Sequence, residues 1–264
     1  MSFVQPNIAI QPLIRNEILK GLSREDYAPM RTHLTRVRLV QGQILHEAGE
    51  RIEHAYFLEE GIVSMVAQVD DQGAPTGIGM TEIGMTGREG MVGLPVLLQA
   101  DALSFSRSLV QLPGVALRIP APALRDLVVR APELRRRLYR ALHILMSTIS
   151  QTAACNSRHT LPERLARWLL IAHDRVEGDD LPLTQEFLSI MLGVRRSGVT
   201  VASAALERNG LLRHNRGRVT ITDRDGLERA SCNCYAQVRA FIHSLPQCES
   251  TVGNIDTYVP RSVA

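Results

Sequence analysis

The side chains best suited to recognising another molecule lie between positions 195 and 201. Arg195, Arg196, Ser197, Thr200 and Val201 recur at the spacing of one face of a helix. An arginine can donate paired hydrogen bonds to a guanine edge or bind a phosphate, and the methyl groups of Thr and Val suit the methyl group of thymine. The pattern therefore predicts a helix that reads the major groove of double-stranded DNA.

Two short helices are expected to position these side chains. Thr184 is a good N-cap for a first helix, Gln185 follows it, and Gly193 can end that helix with a positive φ. A second helix is predicted to begin near Arg195, and its apolar or small residues at 199, 202 and 206 would face the first. This is the helix-turn-helix pattern, and we include Thr184 and Gln185 among the predicted DNA contacts.

A basic hairpin is predicted directly after these helices. Residues 210–213 and 219–222 read as two strands, and the turn between them carries Arg216 and Arg218, which could touch phosphates. A helical hairpin in an ordinary core would explain the helices but not this basic turn. The sequence therefore favours a winged helix-turn-helix.

The bulk properties permit a DNA-binding protein without requiring one. At 264 residues the chain can form two domains, and its net charge of +3 is only mildly basic. Neither a membrane span nor a secretory signal is recognisable, so we expect a cytoplasmic protein. The four cysteines are too few for a disulfide framework, and reduced thiols are expected.

The chain divides into an N-terminal β-rich part and a C-terminal helical part. Short strands punctuated by Gly and Pro between positions 35 and 119 indicate a β-sandwich or barrel. We predict four segments. They are a sensor domain at 1–130, a long helix and hinge at 131–157, the winged helix-turn-helix at 158–230, and an extension at 231–264.

The long helix is predicted to run from Pro132 to about Cys155, before a hinge at 156–159. Its apolar residues form one stripe: Leu134, Leu138, Leu142, Leu145, Met146 and Ile149. The stripe could cover the β-domain. We favour pairing with the same helix of a second subunit, because a two-fold dimer would present two recognition helices to DNA.

The C-terminal extension contains a further set of possible ligands. Cys232, Cys234, His243 and Cys248 include the usual zinc-binding residue types. A Cys-x-Cys pair lacks the common two-residue spacer, however, and the other two residues are irregularly placed. We therefore expect structural thiols beneath a terminal helix, with no metal site and no cofactor.

Two stretches of the chain resemble the CRP/FNR superfamily of bacterial transcription regulators. Tyr56–Val63 is similar to a hairpin of that family, and Leu183–Leu206 is similar to its turn and recognition helix. The resemblance covers about residues 13–230. It implies an α+β fold in which a double-stranded β-helix (jelly-roll) sensor precedes a dimerisation helix and the winged helix-turn-helix. It also implies a homodimer on a palindromic promoter site that recruits or blocks RNA polymerase.

The predicted effector pocket departs from the cyclic-AMP readers of that family. By the resemblance, Gly93, Leu94, Arg107 and Ser108 occupy the ligand-binding positions. Leu94 stands where the ribose-binding carboxylate belongs, and the Arg107–Ser108 pair falls about three residues late. Loss of a buried carboxylate partner costs about 1–3 kcal/mol. We therefore expect an effector other than cyclic AMP.

The recognition helix and the cysteines depart as well. Ser197 and Val201 replace the Glu and the second Arg of the family's best-known readers, so a different operator is expected. Cys155 is the first cysteine in the chain, which excludes the N-terminal iron–sulfur cluster of the oxygen-sensing branch. His33, His46 and His54 leave haem open in principle.

Three other functional classes remain open. A metal enzyme of the cupin type is disfavoured, because His46 and His54 do not fit its motif. The chain is therefore predicted not to be an enzyme. A small-ligand-responsive module that acts on a protein would not need the basic wing. A thiol- or metal-responsive regulator could act through the C-terminal cysteines.

Overall fold

The computed structural model describes residues 14–70 and 78–246 and has the predicted α+β architecture. The strands are Thr35–Leu39 (β1), Ile44–His46 (β2), His54–Asp70 (β3), Ile78–Thr86 (β4), Met91–Val92 (β5), Arg107–Pro120 (β6), Asp180–Leu181 (β7), Leu212–Asn215 (β8) and Arg218–Ile221 (β9). The helices are Glu17–Lys20 (α1), Arg24–Arg31 (α2), Ala121–Arg130 (α3), Pro132–Arg158 (α4), Leu161–His173 (α5), Gln185–Leu192 (α6), Arg196–Arg208 (α7), Arg224–Ala230 (α8) and Cys234–Ser244 (α9).

The N-terminal strands form an antiparallel roll around two long strands, β3 and β6. These two pair with each other, while each also pairs with different short strands at its two ends: β5 and β4 flank β3, and β1 and β2 flank β6. The register between β3 and β6 shifts three times between Leu58 and Val63. Bulges of this kind bend a strand, so one sheet can curl over its own core. Gly61 lies in this bend with φ +89°, and a Cβ there would come within 2.6 Å of the Leu112 carbonyl oxygen.

The long helix α4 covers the roll with much of the stripe that was predicted to pair with a second subunit. Leu134 and Leu138 are fully buried within one chain, and Leu142 and Leu145 pack against the same core. Met146, by contrast, remains exposed. The helix also continues to Arg158, through most of the segment predicted to be a hinge. The non-helical link between α4 and α5 consists of His159 and Thr160.

A single apolar core joins the roll to the C-terminal domain. Ile62, Val66 and Met85 from the roll pack in the same buried cluster as Trp168 of α5 and Leu192 of α6. Arg175, just after α5, adds an ion pair to Glu89 of the roll at 2.8 Å. The helical domain is therefore docked on the sheet rather than tethered to it. None of the described helices is both long enough and apolar enough to cross a membrane.

A buried carboxylate lies at this junction. Glu82 of β4 accepts a hydrogen bond from Trp168 Nε1 at 2.9 Å and another from Ser64 Oγ at 2.6 Å. Burial raises the pKa of Glu82 to about 7, although both hydrogen bonds and the positive charges of Arg175 and Arg167 act to lower it. The contact between roll and helical domain therefore contains a group that titrates near neutral pH.

The raised pKa predicts that folding stability falls as pH increases. Because the folded-state pKa of about 7 exceeds the ordinary value of 4.5, the stabilisation is complete below about pH 4.5 and is lost as pH rises through 7. Glu82→Gln keeps a neutral side chain and should remove this loss, which amounts to at most about 3 kcal/mol. Urea unfolding at pH 5 and pH 8 measures it. The exposed Glu186→Gln should keep the wild-type pH dependence, and parallel profiles for wild type and Glu82→Gln would contradict the prediction.

Candidate nucleic-acid interface

The predicted helix-turn-helix is present with the predicted ends. Thr184 is the N-cap of α6, and its Oγ1 accepts a hydrogen bond from the Phe187 amide at 3.1 Å. Gly193 ends α6 in the left-handed conformation with φ +62° and ψ +43°. Helix α7 follows after a short turn, with Arg195 at its N-cap position. Local sequence signals therefore set both ends of the motif.

Burial of one face of α7 fixes what the other face presents. Val199, Ala202 and Leu206 are buried in the core shared with α5 and α6. The opposite face is exposed, and it carries all the residues predicted to touch DNA on this helix: Arg195, Arg196, Ser197, Thr200 and Val201. Val201, at 71 % exposed, is an apolar side chain facing solvent, as a contact to a thymine methyl group would require.

A side-chain hydrogen bond connects the two helices of the motif. Thr200 Oγ1 donates to Gln185 Oε1 at 2.8 Å, and it also lies 3.1 Å from the Arg196 carbonyl oxygen. Gln185 is half-buried, and its amide is held at the start of α6 beside the exposed face of α7. Gln185 and Thr200, both predicted to contact DNA, therefore belong to one surface, and their hydrogen bond restricts the rotamers of both side chains.

The wing lies next to the same surface. Strands β8 and β9 pair with Asn215 opposite Arg218, and β7 extends the sheet on the other side of β9. A Cβ built on Gly217 in the turn would lie 3.5 Å from Thr184 Cγ2, so the tip of the wing adjoins the N-terminus of α6. Arg216 is exposed at that tip.

The two predicted wing arginines differ in their surroundings. Arg218 forms an ion pair with Asp180 at 3.0 Å, and Thr220 Oγ1 donates to the same carboxylate at 2.6 Å. The hydrogen bond from Thr220, followed by the interactions with Arg218, lowers the pKa of Asp180. Arg218 is thus partly neutralised by a neighbour that sequence alone did not reveal, which makes Arg216 the better candidate for a phosphate contact.

The four residues predicted to bind an effector lie in different surroundings. Leu94 is buried in the core of the roll, and the Arg107 guanidinium is paired with Glu47 at 2.8 Å. Gly93 and Ser108 both lie against the His46 ring; Ser108 Oγ is 3.4 Å from its Nδ1. His46 Nε2 donates to the His54 carbonyl at 2.8 Å, and burial lowers the pKa of His46. Gly93 and Ser108 therefore share a buried histidine as their neighbour.

The C-terminal cysteines have different neighbours from those predicted. Cys232 and Cys234 meet Cys155 and His159 at the end of α4, whereas His243 is exposed on α9. Cys248 lies outside the described residues. The four-residue spacing of Cys155 and His159 was available in the sequence. It was missed because residues 156–159 were interpreted as a hinge instead of the end of a helix.

Comparison of the sequence with known families agrees with the motif. Residues 163–230 match the family described as the Crp-like helix-turn-helix domain. No curated protein sequence matches the chain. The family match covers α5 to α8 and includes the complete candidate interface.

Comparison of the structure with solved structures extends the likeness to the roll. FixK2 of Bradyrhizobium japonicum aligns with a TM-score of 0.63 at 15 % identity, covering 75 % of this chain and 98 % of that one. The c-di-GMP-responsive regulator CLP of Xanthomonas campestris gives 0.60 at 18 %, covering 75 % and 99 %. A CRP-family transcriptional regulator of Thermus thermophilus gives 0.59 at 22 %, covering 74 % and 96 %. At these identities the likeness shows a common fold.

The turn of the motif should be sensitive to substitution because it packs on the roll. A Cβ on Gly193 would lie 2.7 Å from Thr81 Oγ1 of β4, whereas Gly210 has φ +73° with nothing within 4 Å. In both Gly→Ala variants, holding alanine at a positive φ lowers the free energy of unfolding by about 1–2 kcal/mol. Gly193→Ala should lower the free energy of unfolding further, and adding Thr81→Ala should recover that excess. Equal losses for the two glycine variants would contradict the docked position of the turn.

Proposed function

We propose, from the CRP/FNR regulator fold of this chain and its Crp-like helix-turn-helix domain, that it is a sequence-specific transcription regulator. It acts in the cytoplasm as a homodimer on a palindromic promoter site. By analogy with that family, it recruits or blocks RNA polymerase. The observation that carries the proposal is the exposed face of α7, with its arginines, hydroxyl groups and apolar side chain beside a basic wing.

The side chains on α7 favour a particular kind of half-site. Arg196 is exposed near the N-terminus of the helix, where recognition helices contact base edges. Its guanidinium suits a guanine, and Thr200 and Val201 offer methyl groups to thymine. Neither Ser197 nor Val201 supplies a carboxylate that would accept a hydrogen bond from cytosine. The proposed half-site therefore combines one guanine with adjacent A·T pairs.

A face of α4 that the roll leaves uncovered supports the homodimer. Tyr139 and Met146 are 47 % and 59 % exposed. Leu142 and Ile149, which alternate with them at three- and four-residue spacing, touch the roll at the edge of this face and are only half-buried. Apolar residues at this spacing form the seam of paired helices. A two-fold axis along α4 would place the two α7 helices on successive turns of one side of the duplex.

The effector is proposed not to be cyclic AMP. A cyclic phosphate at Arg107 would have to displace the carboxylate of Glu47, which already forms an ion pair with that guanidinium. Leu94 is part of the core of the roll and offers no group to a ribose hydroxyl. An effector, if this chain uses one, would need different chemistry from a cyclic mononucleotide.

Replacement of Arg196 should remove base recognition without disturbing the dimer. On the sequence selected by the wild-type protein from a random DNA pool, Arg196→Ala should lose roughly 5- to 150-fold in affinity, the equivalent of about 1–3 kcal/mol. Its affinity for random DNA should change much less. Arg216→Ala should instead weaken binding to the selected sequence and to random DNA alike. It should also reduce the steepness of the plot of log binding constant against log salt concentration by about 1.

Fluorescence anisotropy across a salt series measures both effects. Arg130→Ala is the matched control, because that arginine is exposed at the end of α3, in the N-terminal domain. It should behave as wild type. If the Arg196 and Arg130 variants bind the selected sequence equally well, α7 is not the recognition helix and the proposal is wrong.

A charge on the uncovered face of α4 should separate the subunits. Met146→Asp places a carboxylate in the proposed seam, where pairing would bury it without a partner. Sedimentation velocity should then show monomers at concentrations where the wild type is dimeric. Val129→Asp, at another exposed apolar position (74 %) on α3, should remain dimeric. An unchanged dimer in Met146→Asp would place the subunit interface elsewhere.

A further inference from the structure

Three cysteines and a histidine converge where α4 ends and α9 begins. The ligand atoms of Cys155, His159, Cys232 and Cys234 all lie within 4.8 Å of one another. Cys155 Sγ is 3.5 Å from Cys232 Sγ, and Cys234 Sγ is 3.5 Å from His159 Nδ1. We propose that these four residues bind one zinc-class divalent metal ion.

The spacing of the ligand atoms fits a single tetrahedral ion. With Zn–S and Zn–N bonds of about 2.3 and 2.0–2.1 Å, tetrahedral geometry places two sulfurs about 3.8 Å apart and a sulfur and a nitrogen about 3.6 Å apart. The Cys155–Cys232 and Cys234–His159 separations, both 3.5 Å, are close to these values. Three Cys and one His form a usual ligand set for structural zinc.

The backbone that carries the ligands is regular. Cys155 and His159 are one helical turn apart at the end of α4, and the His159 amide donates to the Cys155 carbonyl at 3.0 Å. Cys232 and Cys234 lie on either side of Asn233, the N-cap residue of α9. Helix α9 in turn packs along α4, where His143 and Phe241 stack edge-to-face at 5.3 Å between ring centroids. The two ligand pairs are therefore held together by packing that does not itself require an ion.

The three cysteines are set apart from the apolar cores. They are at most 4 % exposed, and among residues 14–70 and 78–246 no aliphatic or aromatic side chain joins their buried cluster. Ordinary buried cysteines mix with aliphatic neighbours as small apolar residues. Half-buried His159 forms the open side of the cluster, which would allow an ion to enter. Gln151 Nε2 lies 3.0 Å from Cys234 Sγ, a polar contact of the kind that orients a metal ligand.

A buried arginine supplies independent support. Arg167 is 5 % exposed; its Nη2 donates to Thr152 Oγ1 at 3.0 Å, and its Nε has no hydrogen-bond partner among the described residues. Arg164 and Arg167 both interact electrostatically with Cys155. Three thiolates and a neutral imidazole around a divalent ion carry a net negative charge. Arg167 already interacts with the Glu82 carboxyl, and such a complex would add a second negative charge beside this buried guanidinium and its unpaired Nε.

Two other uses of the cysteines fit less well. An iron–sulfur cluster spreads its ligands around several iron atoms, whereas all four ligand atoms lie within 4.8 Å of one another. A disulfide between Cys155 and Cys232 would need the sulfurs to move from 3.5 Å to about 2.0 Å apart. A disulfide would also not explain why Cys234 and His159 lie next to the other two cysteines.

The position of the site gives the ion a specific structural role. One ligand pair immediately precedes the DNA-binding domain and the other immediately follows it, so the bound ion would clamp both ends of residues 160–231. Loss of the ion would weaken the attachment of the extension to α4, leaving only the packing of α9 to hold it there. An effect of the ion on DNA affinity rests on the proposed function, whereas metal binding itself does not.

The metal content of the full-length protein tests the proposal. Protein purified under reducing conditions should contain about one zinc ion per chain when its metal content is measured by inductively coupled plasma mass spectrometry. Cys234→Ser should contain at least about tenfold less, because one of four ligands is lost. His243→Ala removes an exposed histidine of α9 outside the cluster and should keep the wild-type content.

Titration of metal-free, reduced wild-type protein with Co²⁺ provides a second readout that does not depend on how the variants fold. One equivalent should develop the visible absorption of tetrahedral cobalt with thiolate ligands, and Zn²⁺ should abolish it. Absence of both zinc and cobalt binding would overturn the proposal. So would iron with inorganic sulfide, or a Cys155–Cys232 disulfide in the purified protein. A zinc site in a protein that fails to bind DNA would sustain this inference while refuting the proposed function.

Discussion

One continuous apolar core holds the roll and the DNA-binding domain together, and the position of every candidate DNA contact depends on it. Ile62 and Met85 of the roll share this core with Trp168, Leu192 and Val199 of the helical domain. Each such side chain contributes about 1.5–3 kcal/mol when it is fully buried. Because Val199 is buried in this core, the opposite face of α7 must point to solvent. The recognition surface therefore follows from packing on its far side.

The same interface also contains hydrogen bonds and an ion pair between defined side chains of the roll and the helical domain. Trp168 donates to buried Glu82, Arg175 pairs with Glu89, and Gly193 at the turn leaves room for Thr81. For a ligand of the roll to alter DNA binding, it would have to change the relative stability of docked and undocked arrangements. Arg167 of α5 interacts electrostatically with both Glu82 and Cys155, so the buried carboxylate and the cysteine cluster both lie near the same buried guanidinium.

The features predictable from sequence are those set by local chemistry. The N-cap of Thr184, the left-handed Gly193 and the periodicity of α7 involve neighbouring residues, and the structure confirms them. Contacts between distant residues could not be predicted. Glu82 and Trp168 are 86 positions apart, and the metal ligands join the end of α4 to the start of α9. A single sequence contains no signal for such pairings, and the hinge assigned to residues 156–159 concealed the Cys–His spacing on α4.

Hydrogen–deuterium exchange of the full-length protein, with and without its selected DNA sequence, tests the central claim most directly. Binding should slow exchange at residues 195–201, at the start of α6 and at the tip of the wing, because these segments form the exposed surface opposite the shared core. The outer face of the roll should be unaffected in the same complex. Protection confined to the roll or to α9, with none on α7, would contradict the account.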